Sequence, residues 1–299
     1  MPADPWIVLA AAGLEGAVGY PARLPHPVTW VGGALGLLDR WFNRGGDLAR
    51  RLTGAVTLVI VAGGAALTGH AVARLDWAPL TILAGATGLA ARSLYDHVAA
   101  VARAPDLASA RAAVAMIVGR DVDRLDEAGV AAAALESLAE SFNDGVVAPL
   151  FWFLLAGLPG LFAYKAVNTA DSMIGHKEEP YRCFGWAAAR SDDLMNLVPA
   201  RLAGLLIVLA AGRGGKTMAQ DARGHASPNS GWPEAAMAGA LGVQLGGPAY
   251  YDGVEHARPS FGDGRRPTTA DLKRGLGIYL RACAVLAVLL ALGGLAWPR

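Results

Sequence analysis

Three stretches of the chain set carboxylate and amide side chains at helical spacing, and a fourth gathers hydroxyl, amide and imidazole groups in a loop. In ALESLAESFNDG, Glu136, Glu140 and Asp144 recur at i, i+4 and i+8, so a helix would carry three carboxylates on one face. Like charges at that spacing repel unless something cationic sits opposite. A magnesium site or a grip on an amine would supply it, because hard cations take oxygen ligands; a solvated helix face ending at Gly145 is the plainer reading. In AYKAVNTADSMIG, Lys165, Asn168 and Asp171 follow one another at three-residue steps along one face. In ARSDDLMNLVPAR, Asp192 and Asn196 are four apart, Asp193 is adjacent and Arg201 follows Pro199. Oxygens at such spacings can present a Mg²⁺–phosphate site, with lysine or arginine complementing the phosphate. Capping by Asp192 and snorkelling by Lys165 and Arg201 explain each residue alone. All three clusters flank apolar runs, however, and ionisable groups at membrane depth are costly and usually functional.

The fourth stretch is RGHASPNSGWPE, Arg223 to Glu234. Gly224, Pro228, Gly231 and Pro233 mark it as a loop, and His225, Ser227, Asn229 and Ser230 can hydrogen-bond a phosphate or an amide. A lone histidine is more often structural than catalytic. PHPVTWVG, Pro25 to Gly32, is a weaker version of the same kind. AAGRGGKT, Ala210 to Thr217, mimics a phosphate-binding loop. Such a loop needs a strand before it, whereas the apolar run here extends back to Leu197, so a short basic exit loop after a membrane helix fits better.

The elements that must position these residues are apolar helices. Of 299 residues, 54% are hydrophobic and 17% charged, against about 25% charged in soluble domains. The net charge of +1 gives no case for nucleic acid. Cys183 and Cys283 have no zinc or redox spacing. Met1–Pro5 lacks a basic region and Glu15 interrupts the apolar stretch behind it, so no cleavable leader is read. Thr53–Ala73 is long enough to span a bilayer. Trp77–Ala91 reads as a second apolar helix and Tyr279–Trp297 as a closing span. Val146–Tyr164 is apolar but interrupted by Pro149, Pro159 and two glycines, and Leu197–Gly212 is a further apolar run. The sequence therefore predicts an all-α, polytopic integral membrane protein with about 4–7 membrane-associated helices, some broken or re-entrant, and polar cytoplasmic loops. It reads as one domain over 1–299, with a polar helical insert at about 96–145 and a polar Gly/Pro-rich region at about 213–274. Arg40, Arg44, Arg50 and Arg51 put the loop before Thr53 in the cytoplasm. The side of 165–194 stays open: two full spans would put it outside, broken segments would not.

Taken together, RDVDRLDEAG, ESLAESFNDGVVAPLFWFLLAGLPGLFAYKAVNTADSMIGHKEEPYRCFGWAAARSDDLMNLVPARL and RGHASPNSGWPEAAMAGALGVQLGGPAYYDG closely resemble the adenosylcobinamide-phosphate synthase family of cobalamin biosynthesis, also called CbiB/CobD. PHPVTWVGGAL and RPSFGDG fit in order, and the resemblance runs from 21 to 285. It implies an ATP- and Mg²⁺-dependent ligase of the cytoplasmic membrane, with its active site on the cytoplasmic side. Such enzymes join a propionate of adenosylcobyric acid to the amine of aminopropanol phosphate, or of aminopropanol. On that reading Asp171 and Asp192 or Asp193, with Asn196, hold the metal, and Lys165 and Arg201 hold phosphates. Glu140 or Asp144 takes a proton from the amine, and His225 joins the catalytic set. Glu136, Asn143, Asn168, Arg223, Ser227, Asn229, Ser230 and Glu234 contact substrate. Membrane lipid is a further partner, and a homo-oligomer or other membrane enzymes of the pathway are partners the reading allows. Ser141 stands where the family usually has asparagine, with Asn143 nearby, and Arg258 replaces a lysine before proline; both leave the preferred amino alcohol open. A transporter of a corrinoid or other anionic solute, and a Mg²⁺-dependent intramembrane prenyl- or phospho-transferase, are the alternatives.

Overall fold

The longest apolar runs become the longest helices. Asp47–Ala73 and Thr269–Leu295 have 27 residues each, more than the roughly 20 needed to cross the hydrocarbon. In this computed structural model, which describes residues 2–21 and 23–297, a third helical run extends from Glu127 to Ile174. Trp186–Met195 and Leu197–Ala211 form a pair bent by 47°. Among the described residues, three helices are thus long and apolar enough to cross a membrane, or four if the bent pair is one span, and the fold is that of a helical polytopic membrane protein. Among the described residues, strand forms two antiparallel ribbons: Leu245–Gly246 with Ser260–Phe261, and Ala249–Tyr251 with Val254–His256. Met1, part of the stretch read for a leader, lies outside the described residues, as do Ala22, Pro298 and Arg299.

Two expectations about breaks need correction. Pro149 does not end a helix, because the backbone widens into a π turn over Asn143–Val147 immediately before it. Such a turn relieves the clash of a proline ring with the preceding carbonyls. The real interruption is at Gly157, with φ +66° two residues before Pro159. Trp77–Ala91 is not one helix either. Ala78–Ala86 is a nine-residue helix, and a new one starts at Ala91. The turn between them falls where Gly85 and Gly88 lie against Phe153 and Leu161, where a Cβ on either would clash.

The chain divides into two compact units, one of Met1–Ala90, Ala148–Asn196 and Leu290–Arg299, the other of Ala91–Val147 and Leu197–Leu289. In the first, Asp47–Ala73 packs along Ala148–Ile174 around Leu58, Val61, Val167, Ile174 and Phe184. Gly54 permits that approach, since a Cβ there would run into the Phe184 carbonyl. Close to the Gly157 interruption, the Leu154 carbonyl accepts a hydrogen bond from the Ala3 N–H at 3.0 Å. In the second unit, the Gly231–Leu241 helix is almost wholly buried between Leu197–Ala211, Gly215–Asp221 and Glu127–Phe142. Phe142 and Tyr279 meet edge to face at 5.5 Å.

Candidate active site

The second unit buries a compact set of opposed charges. Glu136, on the inward face of Glu127–Phe142, is 3% exposed. Its Oε2 accepts from Arg120 Nη2 at 2.6 Å and from Arg258 Nη1 at 3.1 Å, and its Oε1 from the Gly246 N–H at 2.8 Å. At Glu136 the cation expected opposite the helical carboxylates is thus supplied by two arginines. Glu234, in the first turn of Gly231–Leu241, is 1% exposed. Among the described residues its Oε2 finds no hydrogen-bond donor, with Arg258 Nη2 at 3.9 Å. Burial, reinforced by Glu140 and Glu136, pushes its carboxyl well above the usual carboxylate range. His225 Nε2 lies 3.7 Å from Glu234 Oε1. His225 Nδ1 accepts the Ser227 N–H at 2.9 Å, so in the neutral ring the proton sits on Nε2. Burial lowers the imidazole against the opposing pull of Glu140, which favours that neutral form. At the edge, exposed Glu140 accepts from Ser230 Oγ at 2.8 Å.

The loop forms around its own polar groups. Ser227 Oγ accepts the N–H groups of Asn229 and Ser230 at 3.2 and 3.4 Å, turning the chain into the helix that carries Glu234. Asn229 is buried and Arg223 exposed. Asp144 accepts from Asn143 Nδ2 at 2.7 Å. The π turn carries both residues, so the regular four-residue spacing ends at Glu140. Arg201 lies over the Trp232 ring at 4.6 Å and donates to the Leu197 carbonyl.

The first unit holds a hydrogen-bonded chain of polar groups. Lys165 Nζ donates to Asn168 Oδ1 at 3.5 Å, and Asn168 Nδ2 to Asp192 Oδ1 at 3.2 Å. Asn196 Nδ2 donates to Asp192 Oδ2 at 3.0 Å, and Asn196 Oδ1 accepts from the Tyr164 hydroxyl at 3.1 Å. Asp171 is within electrostatic reach of Asp192, as His26 is of Lys165. Burial, with Lys165 second, lowers the His26 imidazole. Asp193, also within electrostatic reach of Asp192, pairs with Arg190 at 3.5 Å. Among the described residues, no three His, Cys, Asp or Glu side chains gather closely enough to hold a metal. The structure therefore sorts the sequence candidates into two groups. Glu136, Glu140, His225, Ser227, Ser230 and Glu234 meet in one, Lys165, Asn168, Asp171, Asp192 and Asn196 in the other. Sequence reasoning missed Arg120, Arg258 and Tyr164 as members. Arg120 and Arg258 open the quoted motifs RDVDRLDEAG and RPSFGDG, but no spacing in the sequence links either of them to Glu136.

The long apolar helices define a helical polytopic membrane protein. A family model described as CobD/Cbib protein matches residues 8–279. The chain belongs to the CobD/Cbib family. It is 48% identical over 309 residues to the cobalamin biosynthesis protein CobD of Rhodobacter capsulatus, covering 97% of this chain and 98% of that one. The protein of that name from Rhizobium meliloti is 45% identical, over 97% and 96%; that from Geobacter metallireducens is 46% identical, over 95% of each. No solved structure matches. These likenesses support a role in cobalamin biosynthesis, as a biosynthetic enzyme.

Proposed function

We propose that the protein forms an amide between a propionate carboxylate of adenosylcobyric acid and the amine of aminopropanol phosphate, or of aminopropanol, with ATP as co-substrate. The observation that carries this reading is the cluster of Glu136, Glu140, Glu234 and His225 against Arg120 and Arg258. An ammonium entering beside exposed Glu140 meets a carboxylate able to take its proton, leaving a nucleophilic amine. Glu140 is exposed, so the proton it takes can pass on to solvent. A carboxylate is a poor electrophile, so ATP would first transfer its terminal phosphoryl to the propionate oxygen and release ADP. Amine attack at the carbonyl then expels phosphate.

The donor set in the first unit fits Mg²⁺ in the mode in which one or two carboxylates hold the ion and substrate phosphates complete its shell. Asp171 and Asp192 would hold it, and it would neutralise charge on a phosphoryl group in transfer. Asn168 and Asn196 orient the Asp192 carboxylate, Tyr164 fixes Asn196, and Lys165 is placed to pair with a phosphate. ATP chemistry puts the active site on the cytoplasmic side of the inner membrane. The test is product formation by detergent-purified protein given adenosylcobyric acid, aminopropanol phosphate and Mg²⁺, with and without ATP, read by mass spectrometry. An ATP-dependent mass gain matching the amide is expected. Folded protein that makes no product with either amino alcohol would refute the reading.

A further inference from the structure

Away from these residues, the second unit contains a cavity of about 340 Å³ lined by Ala211, Arg213, Ala240, Arg274, Gly277, Ile278 and Arg281. That volume falls at the lower end for small-ligand sites. Arg274, Gly277, Ile278 and Arg281 stand at i, i+3, i+4 and i+7 on the Thr269–Leu295 helix, so one stripe forms a wall. Arg213 comes from the loop after Leu197–Ala211, and Ala240 from the last turn of Gly231–Leu241. Part of this basic lining has a plain structural use. Arg213 Nε donates to the Gly239 carbonyl at 3.4 Å and Arg274 Nη2 to the Leu241 carbonyl at 3.3 Å, capping the carbonyl end of a helix. That use does not extend to Arg281. It is exposed, makes no hydrogen bond or ion pair among the described residues, and opens the apolar half of a membrane-spanning helix. No carboxylate lines the cavity. Nearby Asp271 already serves Arg265 and Arg274 at 2.8 and 2.9 Å.

We propose that this three-arginine cavity binds a phosphate anion, with Arg281 as its principal contact. Guanidinium groups match phosphate oxygens in pairs, and the level at which a span turns apolar is where lipid phosphates lie. The anion is carried either by an anionic lipid headgroup or by a soluble phosphate. Gly277 is the opening: a Cβ added there meets nothing within 4 Å, so a larger side chain fills the cavity without displacing the backbone. The site is independent of the amide-forming reading, and so is its test. Full-length protein is examined by native mass spectrometry after exposure to phosphatidylglycerol or phosphatidylcholine. Thermal unfolding is followed in parallel with and without inorganic phosphate. Arg281→Gln should weaken binding about tenfold, the loss of one charge-assisted contact, and Gly277→Leu, which keeps all three arginines, should weaken it to a similar extent by filling the cavity. Selective retention of phosphatidylglycerol that both variants weaken identifies a lipid source. Stabilisation by inorganic phosphate that both variants abolish identifies a soluble one. Equal retention of the two lipids with no phosphate effect, or variants binding as wild type, would overturn the proposal.

Discussion

Replacing Glu136 by glutamine removes the buried member of a group of three charges whose two arginines are half-buried. Glu136 Oε2 serves Arg120 and Arg258, and its Oε1 serves the Gly246 N–H. Glutamine keeps a single oxygen and turns an NH₂ toward an existing donor, so at least one half-buried partner loses its acceptor. Removing one member of a buried ion pair costs roughly 3–5 kcal/mol, whereas an exposed pair is worth under about 1 kcal/mol. Taking about 3 kcal/mol, and about 2–4 °C per kcal/mol for a unit of this size, Glu136→Gln should lower the midpoint of thermal unfolding in detergent by roughly 6–12 °C. The same physics makes a second statement. Replacing all three groups by apolar ones, as Glu136→Leu with Arg120→Met and Arg258→Met, removes the stranded charges and should lose less stability than the single change. A single variant that unfolds with wild type, or a triple variant worse than the single, would show that the cluster is not a closed charge clamp.

Asp192→Asn should reduce turnover by at least about 100-fold, a typical scale for lost electrostatic stabilisation, while thermal unfolding stays within the range of a surface change. Equal losses in folding and turnover would make Asp192 a structural residue. For Glu234, the folded carboxyl titrates above its unfolded value, so the stability it contributes is complete below the unfolded pKa and is lost as pH rises through the folded one. Glu234→Gln should therefore flatten the fall in unfolding temperature toward alkaline pH, and parallel wild-type and variant profiles would contradict this. Gly54→Ala ought to gain stability from helix propensity alone; because a Cβ there meets the Phe184 carbonyl, a loss of about 1–3 kcal/mol is expected instead. A stabilised variant would mean that the two elements separate at little cost.

What local pattern could reveal, the sequence revealed. Thr53–Ala73 and Tyr279–Trp297 announced the Asp47–Ala73 and Thr269–Leu295 helices because apolar length is a local property. The four-residue step from Glu136 to Glu140 survives in the helix, and the basic turn after Leu197–Ala211 carries no phosphate-binding strand, as its predecessor run suggested. Partners distant in the chain were not legible. Arg120 and Arg258 reach Glu136 across 16 and 122 residues, and no periodicity links such positions. Backbone irregularity was half legible: proline and glycine marked where trouble could fall. Which of Pro149 and Gly157 would break the helix depended on the π turn, and a π turn leaves no residue signature of its own.

The bond from the Ala3 N–H to the Leu154 carbonyl gives the amino terminus a task. The third residue plugs a carbonyl beside an interrupted helix, much as a cork closes a flask. In apolar surroundings a carbonyl left bare costs several kcal/mol. An extension upstream of Ala3 leaves that plug intact, whereas trimming past it uncovers the carbonyl. Proteolytic nicking at the extreme start of the chain would therefore register as loosening at residue 154, far along the sequence from the cut.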